Sequence, residues 1–404
     1  MSAPARRARL LSWRAVLGIV ISVVLLYFAF RGVDGGEVAR EVARADPFLF
    51  LLAAAAATAV FVIRAWRWKP LLQPLARTGF RNRFAATTIG FMANNLLPAR
   101  VGEFVRALAL TRLESVSLSG SFASLVVERL FDGVVIVGLL VLAMALPDFP
   151  GGDAFGGRDL RAYGLTLLAV FLAAVGMLAL MVTRPTRAVR TTERVLRAFL
   201  PASLHRPLVD ALRAFLGGLG VLREPALLGR IALWSVFLWL FNALGFWLAF
   251  RAFGIDVGIT AALFLQSVVS LAVAVPSAPG FFGVWEYAAR EGLALWGVPA
   301  AKAVSFAVGF HIAGFIPVTV IGLYYAARLG VSWRDMGASE EVVESAVEAE
   351  QPERWAEAER RVGRRRRNGG GGAAETAPST AEESDARDGP LAPPEGEAPG
   401  AGAT

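Results

Sequence analysis

The sequence predicts an all-α, polytopic helical membrane protein of about 7–8 spans, with two broken or re-entrant segments arranged as an inverted repeat. Three observations predict it. The 404-residue chain is 55% hydrophobic and 18% charged, and its mean hydropathy of +0.53 is too high for an ordinary soluble domain. Long apolar runs recur without strand-like alternation, which favours helices over a barrel as the way to satisfy the backbone in lipid. Two short motifs, Asn94–Glu103 and Pro276–Glu286, each run from a helix-breaking Pro through Gly to a Glu at the polar end of an apolar segment. Interruptions at matching places in two halves point to broken helices around an internal cavity.

Composition also excludes chemistry. There is no cysteine, so disulfides, thiolate metal sites and Cys nucleophiles are out, and the two histidines, His205 and His311, cannot build a His-rich metal centre. No metal, no cofactor and no catalytic residue are expected. The net charge of +8 reads as loop bias rather than nucleic-acid binding, because the arginines gather in particular inter-span loops.

The elements follow in chain order. Trp13–Phe30 is a first span; Arg6, Arg7, Arg9 and Arg14 without an acid place the N-terminus in the cytoplasm, and Phe28-Ala29-Phe30-Arg31 lacks a signal-peptide cleavage site. The loop Arg31–Asp46 has three bases and four acids and reads as outside, whereas Arg64–Arg83, after the span Pro47–Ile63, has six bases and no acid and reads as inside. Phe84–Leu97 is too short to cross and turns at Pro98. The apolar run Gly133–Leu146 is also too short, so either the preceding charges Glu128, Arg129 and Asp132 dip into the membrane or helix length is lacking. Pro147–Arg161 reads as outside, and Ala162–Val182 as a span.

The stretch 184–230 is rich in arginine, with apolar residues at helical spacing. It reads either as a basic amphipathic helix on the inner leaflet or as a helix packed under the bundle. The spans Ile231–Phe250 and Lys302–Ala327 flank the apolar segment Ile259–Val275 and the second motif. Residues 1–330 therefore form the membrane domain, with repeat units at about 47–146 and 231–327. From about Ser332, Ala, Glu, Gly, Pro and Ser dominate, which predicts a disordered cytoplasmic tail over 331–404 with a short helix near Glu340–Arg361.

An odd number of crossings separates the two motif segments, so the second unit enters from the opposite face. Glu103 with Arg106, and Glu286 with Arg290, share a helix face if each motif opens a helix. Glu128 and Asp132 share another face, and Arg100 or Arg106 is the expected partner, with Arg129 pointing elsewhere. His311 lies mid-span, either a packing hydrogen-bond partner or a titrating group. Trp66, Trp68, Trp234, Trp239 and Trp247 read as interfacial or core aromatics.

The ordered set Asn95-x-x-Pro98-x-Arg100-x-Gly102-Glu103, Glu128-Arg129-x-x-Asp132, Pro279-Gly280-x-x-Gly283-x-x-Glu286 and His311-x5-Pro317-x4-Gly322 resembles the transmembrane region of lysylphosphatidylglycerol synthases, a flippase-like family, over roughly residues 11–330. One common form of that family has a Tyr-Arg pair where this chain has Phe310-His311. The resemblance implies a domain that moves an aminoacylated or glycosylated lipid between leaflets of the plasma membrane. It does not imply synthase activity, because the low-complexity residues after Gly330 leave no room for an acyltransferase fold. The expected ligand is an anionic, phosphate-bearing or polyprenyl-linked lipid. Two alternatives stand beside the transporter. One is an intramembrane transferase on polyprenyl phosphate, and the other a non-transporting partner of a glycosyltransferase or lipid synthase.

Overall fold

Every described element is helical. The computed structural model describes residues 13–150, 184–199 and 225–347, with scattered positions between 163 and 209. The expected span Ala162–Val182, much of the stretch 184–230 and the chain after residue 347 otherwise lie outside the described residues.

The helices are α1 (Trp13–Phe30), α2 (Gly35–Arg44), α3 (Pro47–Leu72), α4 (Phe80–Leu96), α5 (Gly102–Leu113), α6 (Leu118–Ala145), α7 (Pro185–Phe199), α8 (Pro225–Ala252), α9 (Ile259–Ala272), α10 (Val284–Ala294), α11 (Ala300–Arg328) and α12 (Trp333–Gly337). Single 3₁₀ turns, Pro98–Arg100 and Pro279–Phe281, separate α4 from α5 and α9 from α10. Among the described residues, α3, α8 and α11 are long and apolar enough to cross a membrane, and α1 with α2 adds a fourth candidate bent by 78°.

Several boundaries differ from the sequence expectation, each for a local reason. The segment Arg31–Asp46 is not all loop: Asp34 accepts from the Gly36 N–H and starts α2, and Asp46 accepts from Phe48 and Leu49 and starts α3. No Gly or Pro interrupts α3 after Ile63 until Pro70, so the helix continues to Leu72 and carries Arg64 and Arg67 inside the bundle. Ser117 caps α6, which extends through Glu128, Arg129 and Asp132 to Ala145, so the charged cluster does lie within a long helix. The expected disorder after Ser332 does not begin there. Ser332 caps α12, residues 339–347 are also helical, and Met336, Ser339 and Val343 are buried. In α7, Val189 packs against the core of the first half.

The contacts of the two halves correspond. α4 packs on α5 as α9 does on α10, α4 on α11 as α9 on α6, and α3 on α11 as α8 on α6. α3 packs on α8, and the two 3₁₀ turns touch each other. α3 and α8 run antiparallel: the Asp46 N–H at the start of α3 donates to the Ala252 carbonyl at the end of α8, while Trp66 near the end of α3 meets Trp234 near the start of α8. Small residues permit the closest approach. A Cβ on Gly102 would stand 2.2 Å from the Gly90 carbonyl oxygen, so α4 and α5 meet backbone to backbone.

Candidate functional site

Each helix break is held open by a short polar residue near its Glu. In the first, Asn94 accepts from the Gly102 N–H at 2.7 Å and faces Glu103 at 3.5 Å, while Asn95 donates to Thr319 Oγ1 of α11 at 2.8 Å. Pro98 opens the turn, where its missing N–H is no loss. In the second, Pro279 opens the turn, Gly280 and Gly283 have φ of +71° and +86°, and a Cβ on Gly283 would stand 2.2 Å from the Ser22 carbonyl oxygen of α1. The Gly283 N–H donates to Glu286 at 2.6 Å, and Ser22 Oγ accepts from the Ala278 N–H at 2.8 Å.

The two breaks meet. Arg100 donates to the Ala274 carbonyl at 3.0 Å and lies over the Phe281 ring at 5.2 Å. Arg100 and Phe281 are also the two non-glycine residues of positive φ among the described residues, at 57° and 63°. One strained residue per break, in mutual contact, marks the junction as a specified feature of the fold.

Beside this junction lies a buried ionic network built from α3, α5 and α6. Glu128 is fully buried and takes both terminal nitrogens of Arg106, at 2.8 and 3.2 Å, and Arg67 at 3.0 Å. Asp132 takes Arg67 through both oxygens, Arg64 at 3.5 Å, Arg129 at 3.4 Å and the Trp239 indole N–H at 2.9 Å. Arg106 stacks 3.9 Å from the Trp68 centroid, and Arg64 lies 5.1 Å from that of Phe91. Arg129 also reaches Glu103 at 3.4 Å, and this pair is the accessible edge of the network, with side chains 40% and 24% exposed. Four arginines facing three acids leave the group one positive charge in excess when all are ionised.

The structure brings together Asn95, Pro98, Arg100, Gly102 and Glu103 at one break, and Arg106, Glu128, Arg129 and Asp132 in the network. Arg106, one of the two arginines expected to serve Glu128, pairs with it, while Glu103 pairs with Arg129 of α6 instead of Arg106. Two other pairings come out differently from expectation. Arg129 does not point away, since it reaches back to Asp132 and across to Glu103. Arg290 does not serve Glu286; it donates to the carbonyls of Phe28, Ala29 and Arg31 at the end of α1, where orphan acceptors and the helix dipole favour a cation. Glu286 instead meets His311 Nδ1 at 2.6 Å, with the imidazole stacked on Trp285 at 5.1 Å and 11°.

Arg64 and Arg67 read in sequence as part of a basic loop and Trp239 as an interfacial or core aromatic, whereas the structure puts all three in the network; Asn94 opens the first motif and proves to hold its break. Arg64-x-x-Arg67 in an apolar run unbroken until Pro70 was the available signal. Among the described residues no group of three His, Cys, Asp or Glu side chains is placed to hold a metal.

Known proteins are similar to this chain in sequence. The family described as the lysylphosphatidylglycerol synthase TM region matches residues 15–322. The glycosyltransferase AglD of Haloferax volcanii is 29% identical over 340 residues, covering 76% of this chain, which spans about half (53%) of that relative's length. A membrane protein of the UPF0104 group from Methanothermobacter thermautotrophicus is 26% identical over 316 residues, 76% of this chain and 91% of the relative. A second UPF0104 protein from that organism is 26% identical over 279 residues, 66% of this chain and 80% of its own.

Proposed function

The chain belongs to the lysylphosphatidylglycerol synthase transmembrane-region family, and on that premise we propose that it translocates an anionic or polyprenyl-linked lipid between leaflets of the plasma membrane. The observation that carries this reading is the junction of two helix breaks flanked by an arginine-rich network. Broken helices meeting inside a bundle form the substrate site in transporters built from inverted repeats. Antiparallel α3 and α8, with corresponding contacts around them, support an inverted repeat here. The shorter pairs α4–α5 and α9–α10 serve as re-entrant hairpins, and 7–8 crossings with cytoplasmic termini agree with the arginine-rich loops.

Arg100 and Arg129 are the cations that a phosphate head group reaches first, because both remain partly exposed while Arg67 and Arg106 are sealed. Glu103 holds Arg129 until the head group competes for it. Exchange of one carboxylate for one phosphate preserves the local charge balance, which keeps the barrier to passage low. Gly102, Gly280 and Gly283 permit the breaks, and Arg290 docks α1 beside the second.

A leaflet-resolved assay in proteoliposomes with fluorescent anionic lipids tests the proposal. Wild type is expected to equilibrate the label, and Arg100→Ala to lose most of that rate with folded yield retained. Rates equal to protein-free vesicles across several lipid classes overturn it. The likeness to a protein named as a glycosyltransferase favours a second reading, a non-transporting membrane partner of such an enzyme. Co-purification with a glycosyltransferase in the absence of transport selects it.

A further inference from the structure

A second cluster of cations lies away from the helix breaks, at the other end of the α3–α8 contact from Asp46 and Ala252. Trp66, Lys69, Pro70 and Gln73 recur at spacings of three and four along α3, which puts them on one face, and Arg230 and Trp234 are four apart on α8. These six residues line a groove of about 470 Å³. Trp66 and Trp234 meet across it with ring centroids 6.0 Å apart. Lys69, Gln73 and Arg230 are exposed, and among the described residues no acidic residue lines the groove and neither cation has an ion pair or cation–π partner.

We infer that this groove is a binding site for the phosphate of an anionic glycerophospholipid of the leaflet at that face, distinct from the translocation path and independent of the transport reading. Two facts select a lipid over a soluble anion. Both helices that form the groove are long and apolar enough to cross a membrane, and the groove lies where each passes from apolar to basic sequence. Paired tryptophans at that depth suit the glycerol and upper acyl region, with Lys69 and Arg230 above them for the phosphate. Gln73, one turn beyond Lys69, offers an amide to a head-group hydroxyl. Arg230 supplies a forked donor to two phosphate oxygens and Lys69 a compact charge.

Native mass spectrometry of the purified full chain tests this. Wild type is expected to retain phosphatidylglycerol in preference to phosphatidylcholine. The double change K69Q/R230Q is expected to reduce retained phosphatidylglycerol about ten- to thirtyfold and leave phosphatidylcholine unchanged. The K69R/R230K protein should recover most of the preference, and R328Q, a cation outside the groove, should keep it. A photoactivatable phosphatidylglycerol added to wild type should label residues 66–73 and 230–234, a readout that needs no variant to fold. Labelling confined to other segments, or unchanged retention in a folded K69Q/R230Q protein, overturns the inference. Displacement of phosphatidylglycerol by an equal concentration of inorganic phosphate overturns the choice of a lipid.

Discussion

The two halves share one plan of contacts and fill it with opposite chemistry. Where α3, α5 and α6 meet, the interior holds Arg64, Arg67, Arg106, Glu128, Arg129 and Asp132. At the corresponding place in the second half, α8, α10 and α11 hold Phe246, Phe250, Trp285, Phe306 and Phe310, with ring centroids such as Phe250–Phe306 and Phe246–Phe310 at 4.9 and 5.0 Å. One plan of contacts thus accommodates either filling. A buried ion network seldom stabilises more than an apolar core of the same volume. An aromatic cluster satisfies the packing requirement in the second half, and the proposed lipid-binding role would account for the arginines of the first.

Asp132→Asn is the most severe test of the contrast. It removes a carboxylate that serves Arg64, Arg67, Arg129 and Trp239 at once, and breaking a buried pair from one side costs about 3–5 kcal/mol. Phe306→Leu in the aromatic half keeps an apolar side chain and should cost about 1–2 kcal/mol. Thermal unfolding in detergent reads both. Equal losses would mean that the two interiors are interchangeable and would end the argument from chemistry.

Where the halves share geometry, their responses should match. Gly102→Ala drives a methyl into the Gly90 carbonyl, and Gly283→Ala drives one into the Ser22 carbonyl in a left-handed backbone. Each should cost about 1–3 kcal/mol, with similar falls in melting temperature. A tolerated Gly283→Ala beside a damaging Gly102→Ala would show that only the first break is tightly specified.

The motif glutamates should then separate. Glu286 is buried and receives both His311 and the Gly283 N–H, so Glu286→Gln should cost about 1–3 kcal/mol in thermal stability. Glu103 is partly exposed and its Arg129 partner more so, so Glu103→Gln should change stability by less than about 1 kcal/mol. Its effect is expected in the transport assay instead. A Glu103→Gln protein with normal transport would remove the exchange step from the proposed mechanism.

Much of this was legible because local rules suffice for it. Pro followed by Gly breaks a helix wherever it stands, so Pro98 to Gly102 and Pro279 to Gly283 were readable as breaks. Glu128 and Asp132, four apart on a helix, were readable as sharing a face. The partners were not, because pairing depends on which helices become neighbours. Arg64 and Arg67 look like the start of a basic loop until α3 is seen to run on to Leu72. Arg290 looks like the partner of Glu286 until α1, distant in sequence, presents its terminal carbonyls. His311 carries no sign of Glu286 in its own neighbourhood of the chain. The helix starting at Ser332 was masked by a composition shift that actually sets in later, although Ser332 and Asp335 form a capping box.

The smallest expected effect sharpens the comparison by keeping the charge and removing the burial. Asp335 lies outside the spans and pairs with Arg112 of α5 at 3.2 Å, both about a third exposed. The Ser332 backbone N–H and then Arg112 hold its carboxyl below the usual carboxylate value. A group whose pKa is depressed on folding contributes stability above its unfolded value, and that contribution is lost as pH falls through the folded one. Asp335 therefore contributes nothing variable between pH 5 and 8, and its share disappears only on acidification below the usual Asp pKa of about 4. Asp335→Asn should shift the melting temperature little at pH 7, and the difference from wild type should shrink further in acid and in high salt. A loss at pH 7 as large as that of Asp132→Asn would show that charge alone, rather than its burial among α3, α5 and α6, sets the two halves apart.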